Sequence, residues 1–164
     1  MPDASDLLAV ARLLAQPPAS DTALRRAVST AYYALFHKLL RDAAQAFIGP
    51  GNETTAGYAI LYRGFDHGHM RSVCEALQVP MLKARWRVAL KRQAMSQQIQ
   101  DFAATFITLQ ERRHTADYDP AAMFLASEVL AVVDEAERAI IAFDGAPPIE
   151  RLDVLAMLMV KARG

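Results

Sequence analysis

The chain has 164 residues, 53% of them hydrophobic, and its 18 basic residues balance its 18 acidic residues. This length and composition exclude a largely disordered protein and predict a single domain over residues 1–164 with a substantial buried core. The net charge of zero gives no general attraction to nucleic acid or to a membrane surface. No apolar run approaches the length of a membrane span, so we expect no membrane partner.

The cysteine content and the start of the chain bear on where the protein works. Cys74 is the single cysteine, so no internal disulfide can form. The acidic start, MPDASD, has neither the basic region nor the long apolar run of a secretory signal. We therefore expect a reducing, cytoplasmic location.

The first part of the chain predicts two helices. Asp6–Ala15 is the first, and Pro17 with Pro18 ends it. Ser20 is well placed as the N-cap of a much longer helix over residues 21–47. Apolar residues at intervals of three or four predict one buried face on that helix: Leu24, Val28, Ala31, Leu35 and Leu39.

The middle of the chain is more broken. Gly49, Pro50 and Gly51 predict an exposed loop over residues 48–57. A helix is expected from near Asp66 to near Pro80, with an apolar face of Met70, Val73, Cys74 and Leu77. Residues 81–93 suit either a helix or an irregular basic connection, and the pattern does not decide between them.

Three further helices follow. Ser96 is a predicted cap for a helix from Gln97 to about Thr115. Asp119 before Pro120 is typical of a helix start, so a fourth long helix is expected to run from there to about residue 143. Residues 147–164 form the predicted C-terminal helix, whose apolar content exceeds what one bundle needs.

No segment alternates as a strand does, so the predicted fold is all-α. We expect an antiparallel up-and-down bundle of four to five main helices, with short extra helices and a core over about residues 20–143.

The boundary between the third and fourth long helices, residues 111–120, is crowded with polar groups. Arg113 and Asp117 stand four apart and can pair on a helix. One interpretation is a hydrogen-bonded junction, in which Asp117 and Asp119 are structural. The other is a cleft, where the fixed donors of Arg113 hold a phosphate and Tyr118 stacks on the ligand.

Two other groups of residues also carry two interpretations. Arg26, Tyr33 and His37 fall on one line of the first long helix and suit either bundle packing or a nucleotide cleft. Residues 83–93 carry five cations around Trp86, in a stretch from Ala76 to Gln100 without any acid. Such a segment is either a solvated basic face or a phosphate-binding surface.

The sequence gives no sign of a metal, a cofactor or a covalent nucleophile. Glu111 and His114 form a Glu-x-x-His pair, but a di-iron bundle needs that pair twice. The glycines near Pro50 lack the lysine and Ser/Thr of a phosphate loop. Cys74 lies on an apolar face, where a thiol is expected to be buried and inert.

Two segments together resemble the HEPN domains (higher eukaryotes and prokaryotes nucleotide-binding). The first is LRRAVSTAYYALFHKLL, residues 24–40, which is similar to the family's long helix. The second is Arg113 with Ala116, Asp117 and Tyr118, an Arg-x-x-Ala-Asp-Tyr form that is typical of small bacterial members. Between them, FDHGHMRSVCEAL is similar to the start of the family's middle helix.

The resemblance implies a homodimeric helical bundle in which the arginine-bearing segments of two subunits lie beside a shared cleft. Many family members are metal-independent ribonucleases, often toxins paired with a nucleotidyltransferase-like antitoxin, and others only bind nucleotides or serve as partner modules. The nuclease members carry an arginine, then roughly four to six intervening residues, and then a histidine. Here the positions counted from Arg113 are Tyr118, Asp119 and Pro120, and the position counted from Arg112 is Asp117.

The leading hypothesis is therefore a cytoplasmic HEPN-like homodimer that binds RNA or a nucleotide without the family's nuclease mechanism. Its expected ligand contacts are Arg113, Tyr118, Tyr33, His37 and Arg26. The alternative is a protein-interaction module or a component of a toxin–antitoxin system, with a nucleotidyltransferase-like or antitoxin partner. A third hypothesis, a metal-independent endoribonuclease, would use Arg113 and His37 as its catalytic residues.

Overall fold

The structure is a computed structural model that describes residues 3–160. Over those residues the chain forms eight α-helices and no β-strand, which confirms the predicted all-α class. The helices in chain order are α1 (Ala4–Leu14), α2 (Asp21–Ile48), α3 (Ala56–Arg63), α4 (His67–Leu77), α5 (Ala84–Leu90), α6 (Gln97–Tyr118), α7 (Ala126–Gly145) and α8 (Pro148–Met159). Within the described residues, no helix is both long and apolar enough to cross a bilayer.

The helices are distributed over two compact units. The first unit comprises the chain up to Lys38 together with Thr105–Ile141. The second comprises Leu39–Ala104 together with the chain from Ala142 onward. Helices α2, α6 and α7 contribute residues to both units. The single domain over residues 1–164 stays a prediction.

Helix α2 begins where the sequence predicts, because Ser20 caps its first turn. The Ser20 hydroxyl oxygen accepts a 3.2 Å hydrogen bond from the amide of Ala23, which satisfies an amide that the helix start leaves unpaired. All five residues of the predicted apolar face are buried: Leu24, Val28, Ala31, Leu35 and Leu39. Each buried leucine contributes about 1.5–3 kcal/mol, so this face is a main source of stability.

In the first unit, ion pairs join α1 to α7. Arg12 on α1 contacts the carboxylates of Asp134 and Glu137 on α7. All three side chains are partly exposed, so each pair contributes about 0–1 kcal/mol. The rest of the unit is held mainly by apolar side chains from α6 and α7: Phe106, Ile107, Leu109, Val129, Val132 and Val133.

In the second unit, α4 packs against α8. Asp66 caps α4, since its Oδ1 accepts a 2.7 Å hydrogen bond from the amide of His69. The ring Nε2 of His69 lies 3.0 Å from the carbonyl oxygen of Met157 on α8. The predicted apolar face of α4 is buried as expected: Met70, Val73, Cys74 and Leu77.

The structure adds two short helices to the broken middle of the chain. Helix α3 was not expected, because Gly57 near its start looks like a breaker. Thr55 nevertheless caps it by accepting a 3.3 Å hydrogen bond from the amide of Tyr58, whose side chain is buried. Residues 81–93, which the sequence pattern assigns to either a helix or an irregular connection, contain α5. This helix is followed by Lys91, which has a left-handed φ of +52°.

The predicted start of the fourth long helix at Asp119 and Pro120 is wrong. Helix α6 continues to Tyr118, and α7 begins only at Ala126. Asp119 instead closes a turn, because its Oδ1 accepts a 2.9 Å hydrogen bond from the amide of Ala121. An aspartate followed by proline suits a turn as well as a helix start.

The predicted cap of α6 is also wrong, although the helix begins at Gln97 as expected. The Ser96 hydroxyl is buried and makes no hydrogen bond with the described residues. The backbone amide of Ser96 donates a 2.9 Å bond to Glu150 Oε2 instead. The predicted last helix is present as α8, and the final part of that prediction, residues 161–164, lies outside the described residues.

Candidate functional site

The candidate site in the first unit is built where α2 and α6 run antiparallel to each other. Ser29 on α2 contacts Asp117 on α6, and one turn further along α2, Tyr33 contacts Arg113. Moving along α2 from Ser29 to Tyr33 therefore corresponds to moving back along α6 from Asp117 to Arg113, as in an antiparallel pair. We call Ser29, Tyr32, Tyr33, Arg113 and Asp117 the Arg113 cluster.

Arg113 is held on two sides within this cluster. Its Nη2 donates a 3.2 Å hydrogen bond to the Tyr33 hydroxyl. Its Nε lies 2.9 Å from Asp117 Oδ2, as the four-residue spacing predicts. This N–H does not point at the oxygen, however, and makes no hydrogen bond with any residue that the structure describes. The contact is therefore electrostatic rather than a bidentate fork.

The aromatic rings beside Arg113 complete its surroundings. The guanidinium carbon lies 5.9 Å from the ring centroid of Tyr32 and 5.5 Å from that of Tyr33, within the range of cation–π attraction. Burial lowers the pKa of Arg113, but the facing Tyr33 and Asp117 outweigh this effect and raise the pKa above its ordinary value. The side chain is therefore always charged.

One nitrogen of Arg113 stays available. The side chain is 19% exposed, and Nη1 makes no hydrogen bond with the described residues. The cluster therefore presents a fixed positive group with one terminal donor nitrogen. A single such group can hold a phosphate or carboxylate oxygen.

Asp117 connects the two helices. Its Oδ1 accepts a 2.6 Å hydrogen bond from the buried Ser29 hydroxyl, while Oδ2 faces Arg113. Both oxygens are thus used within the protein. Asp117 thereby links α2 to α6 through its side chain.

Tyr118 and His114 lie together on the exposed side of α6. The Tyr118 side chain is 64% exposed, and its ring centroid lies 4.9 Å from that of His114. The phenol ring is thus partly supported by the imidazole and partly open to solvent. A ring in this position can accept a stacked base.

The remaining predicted contacts are on α2. His37 is half-buried, with ring centroids 6.1 Å from Tyr33 and 5.7 Å from Phe36. Tyr33 therefore touches both His37 and Arg113, and it brings these three predicted residues together. Arg26 is exposed, and its side chain makes no hydrogen bond or ion pair with the described residues.

Arg25, which the sequence did not single out, is the most connected arginine of this unit. Its Nη1 donates to the carbonyl oxygens of Ala116 at 3.0 Å and of Asp119 at 2.8 Å. Its Nη2 donates to the carbonyl of Ala122, and its Nε pairs with Asp21 at 2.6 Å. Arg25 thus satisfies carbonyls that the end of α6 leaves unpaired.

A hollow of about 330 Å³ lies in the same unit, beside Arg112 rather than Arg113. The side chains that line it come from α2, α6, α7 and the turn before α7: Val28, Arg112, Met123, Phe124, Glu128, Val129 and Val132. Arg112 Nη1 lies 3.8 Å from Glu135 Oε2. Arg112, which lines this hollow, is thus the sequence neighbour of Arg113, for which the sequence suggests a cleft.

Glu111 and His114 form the Glu-x-x-His pair of α6. Among residues 3–160, no three His, Cys, Asp or Glu side chains are grouped as a metal site requires.

Comparison of the chain with protein-family models, curated proteins and solved structures finds no match.

Proposed function

We propose that the chain is a HEPN-type protein that binds RNA or a nucleotide, with the ligand phosphate on Arg113. The observation that carries this proposal is the fixed guanidinium of Arg113, which is oriented by Tyr33 and Asp117 and keeps Nη1 for an outside acceptor. A preoriented donor loses little freedom on binding, so its hydrogen bond to a phosphate is favourable.

The other proposed contacts are Tyr118, Tyr33, His37 and Arg26. Tyr118 offers an exposed ring for a base, and base–aromatic stacking contributes about 1–3 kcal/mol per base. Arg26 adds an exposed positive charge on α2. In the proposed assembly, two copies form a cytoplasmic homodimer, as the motif resemblance implies.

Binding is proposed in preference to cleavage because the family's histidine position holds other residues. Cleavage through a 2′-hydroxyl needs a group that exchanges a proton near neutral pH, which histidine does and tyrosine, with an ordinary pKa of about 10, does poorly.

The test is RNA binding by two variants that spare the fold. Tyr118→Ala removes an exposed ring, and we expect affinity for a single-stranded RNA to fall roughly 5- to 150-fold, the equivalent of one lost stacking contact. Arg113→Lys keeps the charge but removes the planar donors, and it should also weaken binding. Fluorescence anisotropy of labelled RNA at fixed salt measures both.

Phe47→Ala is the matched control, because Phe47 is a half-exposed aromatic residue of α2 outside the cluster. It should bind RNA as the parent does. Equal affinities for the parent, Tyr118→Ala and Arg113→Lys would refute the site assignment. Cleavage of the RNA by the parent in a metal chelator, lost in His37→Ala, would instead favour the ribonuclease hypothesis.

A second candidate function, a protein-interaction module, is favoured by α8. Ile149 and Leu152 are 60% and 48% exposed, and Ala156 and Met159 continue the same row at helical spacing. This apolar row is uncharged. It suits an apolar face of a partner, for which we propose the antitoxin or nucleotidyltransferase-like protein of a toxin–antitoxin system.

Light scattering of the protein, alone and mixed with candidate partners, tests this second function. We expect Leu152→Glu to abolish any complex, because it places a charge in the apolar row. Leu13→Glu, at an exposed leucine of α1, should leave the complex intact. A monomer in every mixture would exclude the interaction module.

A further inference from the structure

Helix α5 in the second unit has no buried residue. It is held at its two ends, where Leu82 and Met95 are buried and the Leu82 amide donates a 2.9 Å hydrogen bond to the Gln93 carbonyl. A helix that buries none of its own residues contributes little to the core. Of its seven residues, Trp86, Arg87 and Leu90 are half-buried and the other four are exposed.

The cations of this segment divide into two groups. Arg92 is neutralised, with its guanidinium nitrogens 2.9 Å from Glu150 Oε1 and 2.6 Å from Asp153 Oδ2, and Arg87 donates to the carbonyl of Leu82. The remaining three, Lys83, Arg85 and Lys91, are exposed and form no ion pair within the described residues. The sequence contains no acid between residues 76 and 100.

An aromatic ring lies beside one of these three cations. The guanidinium carbon of Arg85 lies 4.6 Å from the ring centroid of Trp86, and Trp86 itself is half-buried. Stacking on the indole limits the rotation of the guanidinium. We call Lys83, Arg85, Trp86 and Lys91 the α5 surface.

We propose that the α5 surface binds the phosphate backbone of single-stranded RNA. This inference rests on the proposed function and adds to it a second contact region, carried by the other compact unit. Lys83 and Lys91 flank the helix, and eight residues at the helical rise place them about 12 Å apart along the axis. That length corresponds to three or four phosphates of a stacked strand at about 3.4 Å each.

The surface suits RNA better than a lipid bilayer. Interfacial helices bury a continuous apolar face in the membrane, whereas α5 has seven residues and its exposed large apolar side chain, Val88, lies one turn from Arg85. The exposed charges of the α5 surface are all cationic, and cations are what phosphates bind. Backbone binding of this kind does not select a sequence.

The salt dependence of RNA affinity tests the proposal, because each lost phosphate contact lowers the slope of log K against log salt by about 0.7 for single strands. For Lys83→Gln/Lys91→Gln we expect a slope smaller than the parent's by about 1.4. The control Arg63→Gln/Arg138→Gln removes two exposed cations elsewhere and should keep the parent slope. Affinities between about 50 and 200 mM salt give the slopes.

The fluorescence of Trp86 supplies an independent signal, because it is the chain's one tryptophan. Titration with unlabelled single-stranded RNA should change its emission in the parent. Arg85→Lys should retain the parent salt slope, since the charge remains, while the emission in free protein shifts. An unchanged emission at saturating RNA would overturn the proposal.

The outcomes separate the α5 surface from the Arg113 site. A parent slope in Lys83→Gln/Lys91→Gln, together with weakened binding by Tyr118→Ala, overturns the α5 surface and leaves the proposed function standing. A reduced slope in Lys83→Gln/Lys91→Gln, together with parent affinity in Tyr118→Ala, overturns the Arg113 site alone. A parent that does not bind RNA overturns both sites. If Lys83→Gln/Lys91→Gln keeps the parent RNA slope but loses the parent's binding to anionic phosphatidylserine vesicles, the surface binds lipid and the RNA assignment is overturned.

Discussion

The hydroxyl of Ser29 donates a 2.6 Å hydrogen bond to Oδ1 of Asp117, so that a buried group of α2 depends on a carboxylate of α6. The same carboxylate faces Arg113 with its other oxygen. Asp117 therefore fixes the position of Arg113, the proposed phosphate-binding residue, without itself touching the phosphate.

Asp117→Ala should lower the free energy of unfolding by about 1–3 kcal/mol, because the buried Ser29 hydroxyl loses its acceptor. Urea denaturation measures the change. Asp134→Ala is the control, since Asp134 pairs with Arg12 but is 47% exposed, and it should cost at most about 1 kcal/mol. If both variants lose the same stability, Asp117 is only a surface ion-pair partner.

Arg25→Ala should destabilise the protein by about 1.5–3 kcal/mol, the usual contribution of hydrogen bonds to a charged group. Amide exchange should also accelerate over residues 119–125, because Arg25 binds the carbonyls of Asp119 and Ala122 in that turn. Hydrogen exchange by mass spectrometry reports the local effect.

Arg26→Ala is the neighbouring control for Arg25. Arg26 is exposed, and its side chain makes no hydrogen bond or ion pair in the described part of the chain, so its loss should change stability by no more than about 0.5 kcal/mol. Similar exchange rates in the two variants would show that Arg25 does not hold the turn.

The sequence predicted local features well and tertiary ones poorly. The apolar face of α2 and the cap at Ser20 follow from spacing and from one residue type. Arg25 and Arg26 cannot be told apart in this way, because the carbonyls that distinguish them lie about 90 residues further along the chain. The pairing of Asp21 with Arg25 at four-residue spacing was the one local sign.

The α6 end was mispredicted for the same physical reason. Asp119 and Pro120 look like a helix start, but Arg25 supplies donors for the last carbonyls of α6 and so stabilises an end at Tyr118. The Arg113–Asp117 contact was predictable from spacing, whereas the involvement of Ser29 and Tyr33 required the antiparallel pairing of α2 with α6. The ligand roles of Arg113, Tyr118, Tyr33, His37 and Arg26 stay predictions.

Ser96→Ala and Ser20→Ala distinguish a real helix cap from an apparent one. Ser20 accepts a hydrogen bond from Ala23, so its replacement should cost about 0.5–2 kcal/mol. The Ser96 hydroxyl is buried and makes no hydrogen bond within residues 3–160, so its removal should be neutral or stabilising. Thermal and urea unfolding of both variants decide this, and a comparable loss at Ser96 would restore it as the cap of α6.

Cys74 makes stability depend on pH in the alkaline range. Burial raises the pKa of the Cys74 thiol above its ordinary value, with a smaller contribution in the same direction from Glu75. The folded protein therefore keeps the thiol protonated at pH values where the unfolded chain, with a thiol pKa of about 8.5, releases the proton. The contribution of the protonated Cys74 thiol to the free energy of unfolding is complete below about pH 8.5. It is lost as the pH rises above that value, by up to about 1.4 kcal/mol per pH unit.

Urea denaturation of the parent and of Cys74→Ala at about pH 7.5 and about pH 9.5 isolates this effect, because other titrating groups are common to both proteins. Cys74→Ala should be less stable at both pH values, since it leaves a cavity in the apolar face of α4. Between the two pH values, however, the parent should lose about 1.4 kcal/mol more than the variant. Equal losses would mean that the thiol ionises as readily in the folded protein as in the unfolded chain, and fast reaction of the native protein with a thiol reagent would then be expected as well.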